Sequence, residues 1–244
     1  MSGLRLGVLG VAIAVMMVYN IMAPDAAFFR DPGNARTIFT HLPCALICSI
    51  LVIVAAWFGV KVLKNGDDAS AAKLHAALEL GTIYAALTMA TGIFFSGFQW
   101  GSFWHNDPRQ VSFLIALFLY SSALMVRSAY PDPVRRDRAT AAMALILLMP
   151  AVFLIYVYPR LPGVKQNSMH PSETIAQGGL DVAYSVGVWG SFLIMGWLAI
   201  ELFRLRVLAE CDARHLEHHG SDQTHRRPSS SDGMVRPVAV SPED

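Results

Sequence analysis

Three short segments of this chain carry residues suited to holding a flat, metal-bearing ligand. They are Thr40-His41-Leu42-Pro43, the run Trp100-Gly101-Ser102-Phe103-Trp104-His105-Asn106-Asp107-Pro108-Arg109, and Ser168-Met169-His170-Pro171. A neutral imidazole is a good axial ligand for heme iron, so His41 and His170, each close before a proline, are the first candidates. Trp100 and Trp104 offer flat apolar faces to a porphyrin. Being four apart, they share a face if that stretch is helical. Asp107 and Arg109 add polar groups at a water boundary, and Arg109 suits a propionate carboxylate.

Those segments need elements to position them, and composition says which kind. Of 244 residues 54% are apolar and 15% charged, against about 25% charged in a typical soluble domain. Mean hydropathy is +0.43. The charge is also concentrated at one end: 13 of the 37 charged residues lie from Arg204 onward. This pattern predicts a membrane-embedded body with a polar tail, and argues against a soluble enzyme or a disordered chain. Net charge is +1, so no basic field points to nucleic acid. Three cysteines and no C-x-x-C-H run exclude a disulfide scaffold and covalent heme attachment by this chain.

Six apolar stretches, near 5–23, 42–63, 74–96, 110–128, 139–158 and 179–203, are long enough to cross a bilayer core of about 30 Å as helices. The expected fold is therefore an all-α, six-helix polytopic membrane protein. The first stretch exceeds a signal-peptide core of about 7–15 residues and lacks a good cleavage site, so it is read as a retained helix. With the N-terminus inside, 14 of the 19 Lys and Arg fall in cytoplasmic segments, which predicts both termini cytoplasmic. The three candidate segments then share the outer face. A division is expected at residue 206, between a transmembrane domain at 1–206 and a disordered tail at 207–244.

At these segments the chain resembles the heme-handling cytochrome c assembly proteins. Trp100–Asp107 is similar to their tryptophan-rich signature W-G-x-x-W-x-W-D, with Asn106 in place of the third tryptophan. Phe39-Thr40-His41-Leu42-Pro43 and Ser168-Met169-His170-Pro171 resemble the family's two outer histidine motifs. Six helices and the short length point to the branch called heme exporter protein C. The resemblance implies that His41 and His170 are axial ligands of a transient heme b. It also implies that Trp100, Gly101, Trp104 and Asp107 belong to the heme platform. The implied partners are a membrane-anchored periplasmic heme chaperone, ATP-driven transporter subunits and a small single-helix membrane protein, all in the cell inner membrane with its lipid. The implied role is heme delivery for c-type cytochrome biogenesis, without catalysis by this chain.

Other residues carry plainer readings. His75 and Glu79, one helical turn apart, suit a hydrogen-bonded pair. Cys44 and Cys48 suit helix packing, since i, i+4 geometry strains a disulfide. His105 reads as a solvated loop residue, and the tail histidines as part of a polar end. No nucleophile–base pair or phosphate-binding glycine loop stands in the sequence, so ATP use falls to a partner. Two other classes stay open: a b-type cytochrome of a quinone oxidoreductase, which needs histidines facing one another inside the membrane, and a polytopic transporter, which needs broken helices or midplane charges.

Overall fold

A computed structural model describes residues 3–27, 29–170 and 179–225 of the chain, with no strand among them. Helix α1 spans Gly3–Met22, α2 Ile38–Asn65, α3 Asp68–Trp100, α4 Pro108–Ala129, α5 Pro133–Val152 and α7 Val182–His225; a short α6 covers Pro162–Lys165. Six of these segments are long and apolar enough to cross a membrane. The all-α, six-span expectation therefore holds.

The helix ends explain where the chain departs from the expected spans. A 3-10 turn at Asn34–Thr37 feeds directly into α2, so His41 lies in the first helical turn rather than before it. Helix α3 starts early because the Asp67 carboxylate accepts the Ser70 N–H at 2.8 Å. It runs on to Trp100, where Gly101 closes it with φ 82°. Asp107 and Asp132 cap α4 and α5 in the same way, each followed by a proline whose missing N–H costs nothing at that position. Past Pro150, α5 widens into a π turn at Phe153–Val157 and tightens again at Tyr158–Arg160. The last helix does not stop near 203; α7 continues through residue 206 to His225. Residues 171–178 and 226–244, holding Pro171 and the rest of the expected tail, lie outside the described residues.

Helices α2 and α3 form the centre, with α5 and α7 against them, α4 closing the bundle, and α1 lying along α7. Lipid tails are as apolar as leucine, so packing in a membrane rests on close backbone approach rather than on escape from water. The seams are accordingly built from small residues: Ala55, Ala72, Ala76, Ala77, Ala123 and Ala141 are all fully buried. At Gly59 the backbones come so near that a Cβ would sit 3.2 Å from the Ala141 carbonyl oxygen. Cys44 and Cys48 are buried free thiols within the α2–α3–α7 core, as packing predicts. Large side chains such as Ile53, Phe118, Met125 and Leu193 are turned outward, as lipid-facing residues are.

The end of the bundle away from His41 is locked by charge. Arg214 of α7 pairs with Asp137 of α5 through two bonds of 2.7 and 2.9 Å and with Glu210 at 3.1 Å. Glu210 also meets Arg127 of α4 and, at 2.9 Å, Nδ1 of His75 on α3. The other nitrogen of His75 lies 3.2 Å from Glu79, so the expected pair forms as part of a larger network. Arg206 completes the network by bonding Glu79 and Glu210. This explains why α7 outlasts its apolar stretch, since its polar extension has partners on three other helices. Removing one partner of a buried ion pair leaves an uncompensated charge and costs about 3–5 kcal/mol. Arg214→Ala is therefore expected to lower the thermal unfolding midpoint of the detergent-purified protein sharply. A loss near that of an exposed pair, about 0–1 kcal/mol, would mean that the network does not hold the helices together.

Candidate functional site

At the other end, α2, α3, α4, the π turn and the segment leading to residue 170 surround a cavity of about 390 Å³, within the usual small-molecule range of about 300–1,000 Å³. His41 and His170 both line it. Arg109 joins them, and much of the remaining wall is apolar, including Leu42, Leu46, Met89, Phe113 and Ile155.

His41 is held by α3. Its Nδ1 lies 3.1 Å from the Thr88 carbonyl oxygen and 3.1 Å from Thr91 Oγ1. A carbonyl only accepts, and the Thr91 hydroxyl donates to Leu87 O at 2.7 Å. Nδ1 must therefore carry the proton, which leaves the Nε2 lone pair for a ligand. Gly92 makes the approach achievable: a Cβ there would meet His41 Cε1 at 2.9 Å.

His170 has a different support. The Asp107 carboxylate, only 2% exposed, accepts the Met169 N–H at 2.5 Å, the Ser168 hydroxyl at 3.1 Å and the Arg109 N–H at 2.8 Å. Its Oδ1 also faces His170 Nδ1 at 3.6 Å, an ion-pair distance rather than a hydrogen bond. Burial alone would push the Asp107 carboxyl up. The His170 imidazole and the Met169 and Arg109 amides overcome that and hold it well below the usual carboxylate range. The Trp100 indole meets the His170 ring edge-on, with centroids 5.1 Å apart.

The tryptophan-rich run thus has several jobs. The stretch after Trp100 is not helical, so Trp100 and Trp104 share no helix face. Gly101 is favoured by its positive φ, while a Cβ there would need only the flexible end of the Arg30 side chain, 2.2 Å away, to move. Asn106 adopts φ 52° and accepts the Trp104 indole N–H at 2.7 Å, a left-handed conformation that asparagine tolerates better than tryptophan. Among the expected residues, His41, His170 and Arg109 line the cavity, whereas Trp100, Gly101, Trp104 and Asp107 do not. Trp100 and Asp107 instead bear on His170 from behind.

Over residues 3–221 the chain matches the family model described as heme exporter protein C. It belongs to the heme exporter protein C family. Within that family it is 26% identical over 199 residues to the heme exporter protein C of Rhodobacter capsulatus, covering 80% of this chain and 79% of that one. It is 25% identical over 190 residues to the Escherichia coli K12 protein of the same name, 75% and 74% of the two chains. A putative cytochrome c biosynthesis ccmC-like mitochondrial protein of Marchantia polymorpha is 24% identical over 179 residues, 71% and 72%.

Thr88, Gly92, Gln110, Tyr156 and Arg160 also line the cavity of this family member and were missed by sequence reasoning. Gln110, next to Arg109, accepts the His105 N–H at 3.3 Å and donates to Phe103 O at 3.1 Å, fixing the loop above the cavity. A glycine one turn after Thr88 was a readable hint of close approach; Arg160 carried no local signal.

Two outcomes follow. Gly92→Ala is expected to displace the His41 ring, because the Thr88 and Thr91 bonds prevent it from yielding; the His41 imidazole signal in NMR should shift. The stability that Asp107 contributes should be fully present above the ordinary carboxyl pKa of 3.8 and be lost as pH falls below it, because its folded-state pKa is depressed. The difference in unfolding midpoint between the parent and Asp107→Asn should therefore shrink below about pH 4. A constant difference across that range would rule out an ionised Asp107 as the support of His170.

Proposed function

We propose that this chain binds heme b in the two-histidine cavity and hands it to a membrane-anchored periplasmic heme chaperone for c-type cytochrome biogenesis. The observation that carries this reading is that His41 and His170, from distant parts of the chain, line one largely apolar cavity with Arg109. Support also comes from relatives whose names specify heme export and cytochrome c biosynthesis. The fit to heme is chemical. Two imidazoles, one with its Nε2 lone pair set by the Thr88 carbonyl, suit axial positions, and apolar walls suit a macrocycle. Both ligands stand at one end of the bundle, which separates this arrangement from a b-type cytochrome with ligands inside the membrane.

The roles divide as follows. His41 and His170 hold the iron through Nε2, Arg109 pairs with a propionate, Trp100 and Asp107 orient His170, and Gly101 and Trp104 shape the platform loop. Release is by ligand exchange, the chaperone's own histidine displacing one of the two. Nothing in this scheme requires catalysis by the chain. ATP hydrolysis lies with transporter subunits, and a small single-helix membrane protein completes the assembly in the cell inner membrane. The Lys and Arg bias supports a reading with both termini in the cytoplasm and the cavity toward the periplasm. The heme-handling unit is residues 1–206, with 207–244 serving as a cytoplasmic extension.

The test is the absorption spectrum and heme content of the protein purified with its partners, beside His41→Ala and His170→Ala. A bound b-type heme in the parent, with a shifted spectrum or at least about tenfold less heme in each variant, is expected. Unchanged spectra in both variants would overturn the ligand assignment.

A further inference from the structure

Helices α4 and α7 both pack on α3, but apart from the Arg127–Glu210 ion pair they make little contact with each other. The face of α3 between them is left as a trough of about 580 Å³. Helix α3 contributes Leu80 and Ile83 to its lining, α4 contributes Leu124, and α7 contributes Leu202 and Leu205. Glu79 and Arg206 stand at the charged end of this trough. Ile83 and Leu202 each lie one helical turn, about 6 Å, further into the apolar span.

Next to Glu79 a second hollow of about 350 Å³ is lined by His75, Arg127, Ser128, Tyr130 and Arg136. Glu79 and Leu124 line both, so the two hollows adjoin. The second one lies where α4 ends and α5 begins, at the level of the charged network. Charge on the joint lining is unequal, with Arg127, Arg136 and Arg206 against one carboxylate, Glu79. Glu210 and Asp137, the other acids that hold Arg127 and Arg206, are buried and line neither hollow. Arg136 is held differently. Among the described residues its guanidinium hydrogen-bonds Glu217 alone, at 3.1 and 3.3 Å, while Asp137 stands 4.0 Å from its Nε. The Glu217 side chain is 48% exposed, and a pair with so exposed an acid contributes little. A phosphate, which suits the guanidinium fork, competes well for that arginine.

An apolar trough that leads to a polar recess with surplus guanidinium has the outline of a phospholipid, acyl chain first and phosphate next. We propose that the two hollows together hold one anionic phospholipid. Its phosphate sits on Arg136, with the Ser128 and Tyr130 hydroxyls beside it, and an acyl chain lies on α3 between α4 and α7. The chain fills the gap that α4 and α7 leave, so the lipid braces the same helices that the charged network orders. This site is at the end of the bundle away from His41 and does not depend on what the two-histidine cavity binds.

The experiment uses the full chain in detergent, stripped of lipid. It is titrated with dioleoyl phosphatidylglycerol, dioleoyl phosphatidylcholine or inorganic phosphate, and followed by native mass spectrometry and thermal unfolding. The parent is expected to take up one phosphatidylglycerol about fivefold or more tighter than phosphatidylcholine, with a raised unfolding midpoint, while phosphate alone leaves the midpoint unchanged. Arg136→Gln should weaken phosphatidylglycerol about fivefold, to the level of phosphatidylcholine. Phosphatidylcholine binding itself should stay as in the parent, which shows that the variant is folded. Ile83→Trp, at a position 53% exposed, crowds the trough and should weaken both lipids. A parent that binds the two lipids equally, or an Arg136→Gln variant that still prefers phosphatidylglycerol, overturns the proposal. So does a midpoint raised as much by phosphate alone, which marks an anion site without an acyl chain, or lipid binding unmoved by Ile83→Trp. A second copy of the chain in place of lipid, released by Ile83→Trp, overturns it too and makes the trough a protein interface.

Discussion

The Asp107 carboxylate joins two distant parts of the chain. It caps α4 through the Arg109 amide and at the same time accepts from Ser168 and Met169, the residues just before His170. A loop carrying a ligand would otherwise sample many positions at a cost of about 1–2 kcal/mol per residue ordered. Here a buried, ionised group with its lone pairs satisfied fixes the loop against a helix end. Trp100 closes on the His170 ring from the same side. Through this junction the cavity acquires its second imidazole.

His41 is fixed by a contrasting means. It rides on α2, and α3 approaches closely enough for the Thr88 carbonyl and Thr91 hydroxyl to hold its Nδ1, with Gly92 leaving room for the ring. One histidine is thus placed by helix–helix packing and the other by a tethered loop. The first belongs to the centre of the bundle, and the second to a segment tied to the start of α4.

Rigidity of the centre has two sources. Alanine and glycine seams bring the helices together where no hydrophobic driving force acts between them. At the far end, the network centred on Glu210, Asp137 and Arg214 ties α3, α4, α5 and α7. Such a network contributes less to net stability than its contacts suggest, because the charges must be desolvated. Its effect is to fix which helices are neighbours, and so the register in which His41 meets α3.

Long apolar runs read directly from the sequence as six helices, because a bilayer leaves backbone groups few other ways to be satisfied. The histidine and tryptophan segments were legible too, since their residue types are uncommon together at helix ends. Their roles were only partly legible. Trp104 and Gly101 lie in the expected loop but shape it without lining the cavity, and Asn106 is explained by a backbone conformation that no spacing reveals. The charged face of α7 looked like the start of a tail because its partners, Asp137 and Arg127, are far away in the chain. The sequence by itself determined the helix count and the candidate segments, which depend on local hydropathy and residue chemistry. Only the tertiary structure decided that His41, His170, Arg109 and Arg160 surround one cavity while Asp107 stands behind it, because contacts between distant segments are set by packing that leaves no local trace.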